Sequence, residues 1–245
     1  MGPGNGRLDE GGNVRLQSTA EGFLIAVVGC DGSGKSTLTA DLLVELAKRG
    51  PVARCYLGLG SGEIGNRIKR WPLVGPMIEA RLADKARQTR TKGERIPGLA
   101  TALVIYAFSL LRLHRFRRML DLRRRGVTVV TDRYPQTVVP GFYDGPLLSA
   151  ASAASRPVAW LAAREYKLYA WMAGHRPDLV IRLNVDVATA SARKPDHEPE
   201  ALRQKIAVTP LLSFAGAPIV ELDSCSPYPE VREVALAAID RTMRR

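Results

Sequence analysis

Gly29-Cys30-Asp31-Gly32-Ser33-Gly34-Lys35-Ser36 follows the apolar run Phe23-Leu24-Ile25-Ala26-Val27-Val28 and leads into Ser36-Thr37-Leu38-Thr39-Ala40-Asp41-Leu42-Leu43. The run before it has the character of a buried strand, and the stretch after it has helical spacing. A G-x-x-x-x-G-K-[ST] spelling between a strand and a helix is the context in which this pattern holds phosphate. Gly29, Gly32 and Gly34 let the backbone turn tightly, so successive N–H groups face an anion with no Cβ in the way. The helix opening near Lys35 adds its positive end. Lys35 would reach the β- and γ-phosphates of a nucleoside triphosphate, and the Ser36 hydroxyl would sit on Mg²⁺. Gly29, Asp31, Gly32, Ser33, Gly34, Lys35, Ser36 and Thr37 are therefore expected to hold ATP with Mg²⁺.

The chain's 245 residues suit a single domain with a substantial core. Residues 1–20, Gly-rich and polar, predict a flexible tail without a secretory signal, which leaves 21–245 as the domain. Cys30, Cys55 and Cys225 form no C-x-x-C pair and read as reduced thiols of a cytoplasmic protein. His114, His175 and His197 are too scattered to suggest a metal site. The apolar stretch Leu99 to Leu111 falls well short of the ~20 residues a spanning helix needs and predicts a buried helix. A net charge of +12 is concentrated partly in Arg112, Arg115, Arg117, Arg118, Arg123, Arg124 and Arg125. Such a run is either the solvated face of a helix or a surface that draws acidic substrates or anionic lipid.

Strands alternate with helices along the chain, which predicts an α/β fold with a parallel sheet. Strands are expected at 23–28, 52–57, 127–131, 179–185 and 218–222, giving five in all. Helices are expected from Ser36, over 97–125 with Gly126 as the stop, near 157–174, from Val187, and over 228–243. Residues 63–95 admit short helices or a flap, and 193–205 form a charged run.

A second signal is Thr131-Asp132-Arg133-Tyr134-Pro135 at the end of the third strand. Ligands of open α/β sheets sit outside that end. A carboxylate there can hold Mg²⁺, and an adjacent guanidinium can pair with phosphate. With these residues the chain resembles the thymidylate kinases, whose loop commonly reads Gly-x-Asp-Gly-Ser-Gly-Lys-Ser/Thr and whose third strand commonly ends in Asp-Arg-Tyr. Pro177 to Asp186 is similar to their fourth strand, and Val220-Glu221-Leu222-Asp223 with Ser226-Pro227 to their last strand and adenine-side loop. The resemblance implies a three-layer sandwich of the P-loop nucleoside triphosphate hydrolase type around a five-stranded parallel sheet. It also implies an enzyme that moves the γ-phosphoryl of MgATP to dTMP or a related monophosphate. Asp31 would orient the acceptor, Asp132 would serve the metal with Ser36, and Arg133 would take the acceptor phosphate. Phe108 and Arg112 match the Phe-x-x-x-Arg that stacks on the nucleobase and grips the acceptor, although an apolar face with Tyr106 and Leu110 also suits Phe108 to a core. Ser33 stands where some members carry an arginine, so lid cations are expected from Arg193 and Lys194, with His197, Arg203 and Lys205 nearby.

The likeness fails on the acceptor side. Tyr56-Leu57-Gly58-Leu59-Gly60-Ser61-Gly62-Glu63 replaces an Arg-Glu-Pro-Gly-Gly-Thr-like segment, and Pro135 to Pro146 replaces a Ser- and Gln-containing one. Within the latter, Asp144 is either a second acceptor-side carboxylate or the start of an Asp-Gly-Pro turn, the reading its neighbours favour. A nucleoside, sugar or glycan precursor is therefore the second acceptor class. A nucleic-acid-associated NTPase is a third reading, opposed by the lack of a strand ending in Asp-Glu. A homodimer through the apolar helix at 99–111 fits the resemblance; a membrane surface is a partner that only the basic charge suggests.

Overall fold

The computed structural model describes residues 21–58, 98–150, 153 and 155–244. The expected tail at 1–20 and the unassigned stretch 63–95 lie outside the described residues. Strand β1 (Leu24–Gly29) is buried along its whole length, as a strand covered on both faces must be. Its alternation sorts side chains into two cores: Leu24, Ala26 and Val28 enter one, Ile25 and Val27 the other. β1 is central in a five-stranded sheet of order β2-β3-β1-β4-β5, with every pairing parallel. The other strands are β2 (Val52–Tyr56), β3 (Thr128–Asp132), β4 (Leu179–Asn184) and β5 (Ile219–Asp223).

The helices are α1 (Lys35–Ala47), α2 (Leu99–Arg124), α3 (Arg156–Ala173), α4 (Val187–Arg193), α5 (Pro199–Val208) and α6 (Tyr228–Met243). Leu38, Leu42 and Leu46 of α1 pack with Val231, Ala235, Ala238 and Ile239 of α6 over Ile25, Val27 and Ile181. On the opposite face Phe116 and Met119 of α2 join Tyr169 and Met172 of α3 over Leu24, Ala26 and Val180. This is the expected three-layer α/β sandwich. Because β1 lies between β3 and β4, chain order reverses there, and the crevice beyond its carboxyl end is where such sheets bind ligands.

Each expected strand and helix is present with ends shifted by one or two residues, except that α1 continues to Ala47 and the charged run at 193–205 is largely helical as α5. The expectation for Leu99–Leu111 is corrected. The helix, which runs to Arg124 as the 97–125 expectation has it, is long and apolar enough to cross a membrane by length and composition, and a third of its apolar window is buried. Only one face is buried: Ala102, Ser109, Leu113 and Phe116 point inward, whereas Leu99, Leu103 and Leu110 are exposed. The arginines are not one solvated face either. Arg112 is buried, Arg115 donates to the Gly58 carbonyl at 2.7 Å, and Arg123 reaches Asp178 at 3.1 Å. Asp178 in turn accepts from the Leu24 N–H at 2.8 Å, so this pair fixes where β1 begins.

Glu165, fully buried on α3, accepts from Ser109 Oγ at 2.8 Å and from the Leu148 N–H at 2.6 Å. Burial raises its pKa, and these donors offset part of the rise. The pair of bonds holds the turn at 148–150 against α2 and α3.

Phe116 is wholly buried and meets Tyr134, Trp171 and His175 edge-on at 5.4–5.9 Å between centroids. Phe116→Ala should lower the urea unfolding free energy by about 3–5 kcal/mol and Phe116→Leu by clearly less, because the ring fills space shared by both helices and the β3 exit. Equal losses in the two variants would show that volume is not what Phe116 supplies.

Candidate nucleotide-binding and phosphoryl-transfer site

The turn leaving β1 has the backbone the sequence pattern requires. Gly32 and Gly34 have φ of +84° and +83°, a region costly for any residue with a Cβ. A Cβ on Gly32 would also come within 2.9 Å of the Ala190 carbonyl oxygen. The Ser33 N–H bonds the Cys30 carbonyl at 3.1 Å, and α1 opens immediately beyond Gly34. Its first N–H groups and dipole face the crevice, which makes this turn an anion site. Ser36 and Thr37 are exposed there, whereas Ser33 is buried and its hydroxyl lies beside Gly29. Ser33 therefore contributes backbone to the turn, and its side chain does not face the crevice.

Lys35 Nζ donates to the Cys30 carbonyl at 2.7 Å. Burial lowers the Lys35 pKa, and the Asp31 carboxylate offsets part of that. A desolvated ammonium bonded to one carbonyl has donors left for phosphate oxygens.

Ser36 and Asp132 line one cleft of about 340 Å³ together with Arg54 and Tyr56 of β2. Asp132 is almost fully buried at the end of β3, and its Oδ1 has no hydrogen-bond partner among the described residues. Its Oδ2 lies 3.5 Å from Arg54. A carboxylate with one oxygen unpaired and a hydroxyl lining the same cleft are hard oxygen donors, so the residues fit Mg²⁺.

Arg133 follows Asp132 with φ +77°, a conformation that costs about 1–3 kcal/mol in a residue with a side chain. The Arg133 N–H to Val27 carbonyl bond (3.3 Å) and the Thr131 hydroxyl to Arg133 carbonyl bond (2.9 Å) hold it there. The guanidinium sits 3.5 Å from Asp31 and 3.8 Å from Asp144. Those carboxylates, Asp144 foremost, push its pKa up against burial.

Asp31 is the meeting point of the site. Lys205 of α5 bonds its Oδ2, and His197 Nε2 lies 3.9 Å from the same atom. Burial alone would raise the Asp31 pKa, but Lys205, Lys35 and Arg133 outweigh it and hold the carboxyl far below the usual range. Arg193 ends α4 and bridges two loops, bonding the Gly32 carbonyl at 3.2 Å and the Ser224 carbonyl at 3.0 Å. Lys194 is exposed, and Arg203 pairs locally with Glu200. Of the expected lid cations, then, Arg193 and Lys205 reach the phosphate turn, with His197 beside Asp31.

Two acceptor-side expectations are corrected. Arg112 is not presented to a ligand: it is 2% exposed, and its guanidinium is bonded to Asp144 Oδ1 at 2.7 Å, the Asp144 carbonyl at 2.9 Å and the Tyr169 hydroxyl at 3.0 Å. Asp144 is more than a turn starter, being a buried carboxylate between Arg112 and Arg133. Phe108 lies one turn before Arg112 and is half-buried. The segment 136–144 keeps its shape through buried Gln136, whose side chain bonds Val139 and Phe142 carbonyls at 2.8 Å and the Val139 N–H at 2.9 Å. Arg54 and Tyr56 escaped the sequence reading, since an arginine and a tyrosine in a short strand carry no motif.

No family model matches the chain. Across 228 residues it is 50% identical to YghS of Escherichia coli strain K12, called an uncharacterized ATP-binding protein, covering 93% of this chain and 96% of that one. YghR of the same strain, called the same, is 48% identical over 88% of this chain and 86% of its own length. This chain belongs to the P-loop family of YghS and YghR. The YghS–YghR likeness runs nearly end to end, so it takes in the phosphate turn and both flanking layers. A probable thymidylate kinase of Pyrobaculum calidifontis is also similar, at 30% identity over 90% of this chain and 97% of its own length.

Because the Asp31 pKa is depressed on folding, the unfolded chain binds more protons in acid, and stability rises with pH there. The contribution should be complete above about pH 4 and fade as pH falls below it. The melting temperature of Asp31→Asn should therefore fall less than that of the unaltered protein between pH 5 and roughly pH 2.5. Parallel profiles would mean that the Lys205 and Arg133 contacts do not act on Asp31.

Proposed function

We propose that this protein is an ATP-dependent phosphotransferase, thymidylate kinase-like in its donor side, which moves the γ-phosphoryl of MgATP to a small acceptor. The observation that carries this reading is the gathering of Asp31, Arg133 and Asp132 around Lys35 at the carboxyl end of β1, with Ser36 and Asp132 lining one cleft. The names of YghS and YghR support ATP as the donor, and the Pyrobaculum relative supports kinase chemistry.

Transfer of a phosphoryl group spreads charge over equatorial oxygens, so the protein's task is positioning and cation placement. In this reading the backbone N–H groups of residues 32–36 and Lys35 hold the β- and γ-phosphates. Ser36 and Asp132 would hold Mg²⁺, which would supply charge neutralisation to the phosphates. Lys205 and Arg193 bring cations from α5 and α4 to the transferring group. Arg133 and Asp31 face the acceptor. Two acceptor classes compete: dTMP or a related monophosphate, expected from the thymidylate kinase likeness, and a nucleoside, sugar or glycan precursor, suggested by the segments at 56–63 and 135–146 that depart from that likeness.

Lys35→Ala should reduce MgATP affinity and ADP formation by on the order of 10²-fold or more, as loss of one donor to a transition-state oxyanion does. Calorimetry and a coupled ADP assay read both, and retained turnover would sink the donor assignment. Asp132→Asn should weaken the Mg²⁺ dependence of ATP binding by at least the 10–100-fold that even outer-shell ligand changes cause. An unchanged magnesium titration would remove Asp132 from the metal site.

A further inference from the structure

Eleven large apolar side chains are exposed among the described residues, and six of them stand on two neighbouring helices: Leu99, Leu103 and Leu110 of α2, and Trp160, Tyr166 and Trp171 of α3. Clustering of that kind marks an interaction surface, whereas scattered exposure is ordinary. Helical spacing gathers most of them on one side of the helix pair. Trp160, Arg164, Lys167 and Trp171 follow one another at steps of four, three and four, and all are exposed. Leu103, Leu110 and Arg117 follow at steps of seven along α2 and are exposed as well. The two stripes meet where the Arg117 guanidinium lies 5.8 Å from the centre of the Trp171 ring. Arg164 covers the Trp160 ring in the same way at 4.4 Å.

The face is cationic. Glu165 is the one acid of α3 and is buried, and Asp121 is the one acid of α2 and is held by Arg124 at 2.8 Å. A two-fold dimer through this face would press a surface rich in cations against itself. A nucleic acid would use the cations and the rings but not the leucine stripe. An anionic bilayer uses all three. Aromatic rings settle at headgroup level, Arg and Lys stems lie along apolar surface with their heads on lipid phosphate, and leucines enter the acyl boundary.

We infer that this face of α2 and α3 docks on an anionic lipid surface. α2 lies along the headgroups and does not cross the bilayer, because its opposite side carries Phe116 and the Arg112–Asp144 ion pair into the core. Trp160 and Trp171 anchor the two ends of the α3 stripe. Arg117, Arg164 and Lys167 take the lipid phosphates, and Leu103 and Leu110 enter below them.

The test is flotation of the unaltered full chain with vesicles at about 0.1 M salt, where surface charges act over roughly 10 Å. One set is phosphatidylcholine alone, and the other carries phosphatidylserine at about three parts in ten. The expected result is binding to the anionic set at least about tenfold tighter than to the neutral set. Each basic residue near an anionic leaflet is worth about fivefold in partitioning, so Arg164→Gln with Lys167→Gln should weaken binding on the order of tenfold or more. Arg241→Gln with Arg244→Gln removes the same charge at the end of α6, across the sheet, and should weaken it by no more than about twofold. Leu103→Ser with Trp160→Ala should weaken it by at least about fivefold, since those groups enter the lipid. Thermal melts check that each pair folds; a pair that does not is replaced by its two single variants, each expected to lose about fivefold in place of the α3 cations.

No binding to anionic vesicles, or equal binding to both sets, overturns the inference. Equal losses in the two charge variants, or full binding after the Leu103 and Trp160 changes, also overturn it, because bulk charge would then explain the attraction. A dimer in analytical ultracentrifugation that the Leu103 and Trp160 changes split into monomers assigns the face to a second copy and overturns lipid docking. Duplex DNA bound through Arg164 and Lys167 more tightly than the anionic vesicles overturns it in the same way.

Discussion

A run of alternating charge, Arg112–Asp144–Arg133–Asp31–Lys205, crosses the molecule from the middle of α2 to the phosphate turn and on to α5. Each member is stabilised by the next, and the inner pair has little water to fall back on. The run sets the position of the Asp31 side chain, and it ties the Arg133 guanidinium to Asp31 and to the buried Asp144. Removing Asp144 would leave the buried Arg112 without its carboxylate. The loop at 136–144 and the phosphate turn are therefore linked through one chain of ion pairs.

Parallel pairing is what brings the other chemical groups to those ion pairs. In a sheet of order β2-β3-β1-β4-β5 all strands point the same way, so the exits of β1, β2 and β3 lie along one edge. Asp132 is paired in register with Val27 of β1 and with Tyr56 of β2. That register places a carboxylate beside the start of the phosphate turn and brings Arg54 and Tyr56 to the Ser36 cleft. The apolar packing that secures the register comes from two separate cores, one on each face of β1. The geometry of the site therefore depends on burial that lies away from the crevice.

The donor side was legible because its chemistry is local. Residues 29–36 bind through backbone conformation and one side chain, and glycine spacing records that directly in the chain. Asp132 and Arg133 were legible for a related reason, since both sit at the end of a strand whose apolar run is plain. The acceptor side was not legible. Arg112 and Asp144 are 32 residues apart, and the ion pair that consumes them forms only when α2 packs beside the 136–144 loop. Lys205 outranks Lys194 at Asp31 because α5 is a helix that turns it inward, a fact the charge pattern of 193–205 does not contain.

The sequence by itself determined the succession of strands and helices, the phosphate turn and the helix that follows it, because hydrophobic period, glycine placement and helix stops act over a few residues. Tertiary structure alone decided which charges cancel. A guanidinium free in the chain is a phosphate ligand, whereas the same guanidinium buried against Asp144 is a structural cation, and only packing separates the two. The exposed face of α2 follows the same logic: the first half of the helix is apolar on every side, and only packing decided that Leu99, Leu103 and Leu110 stay outside.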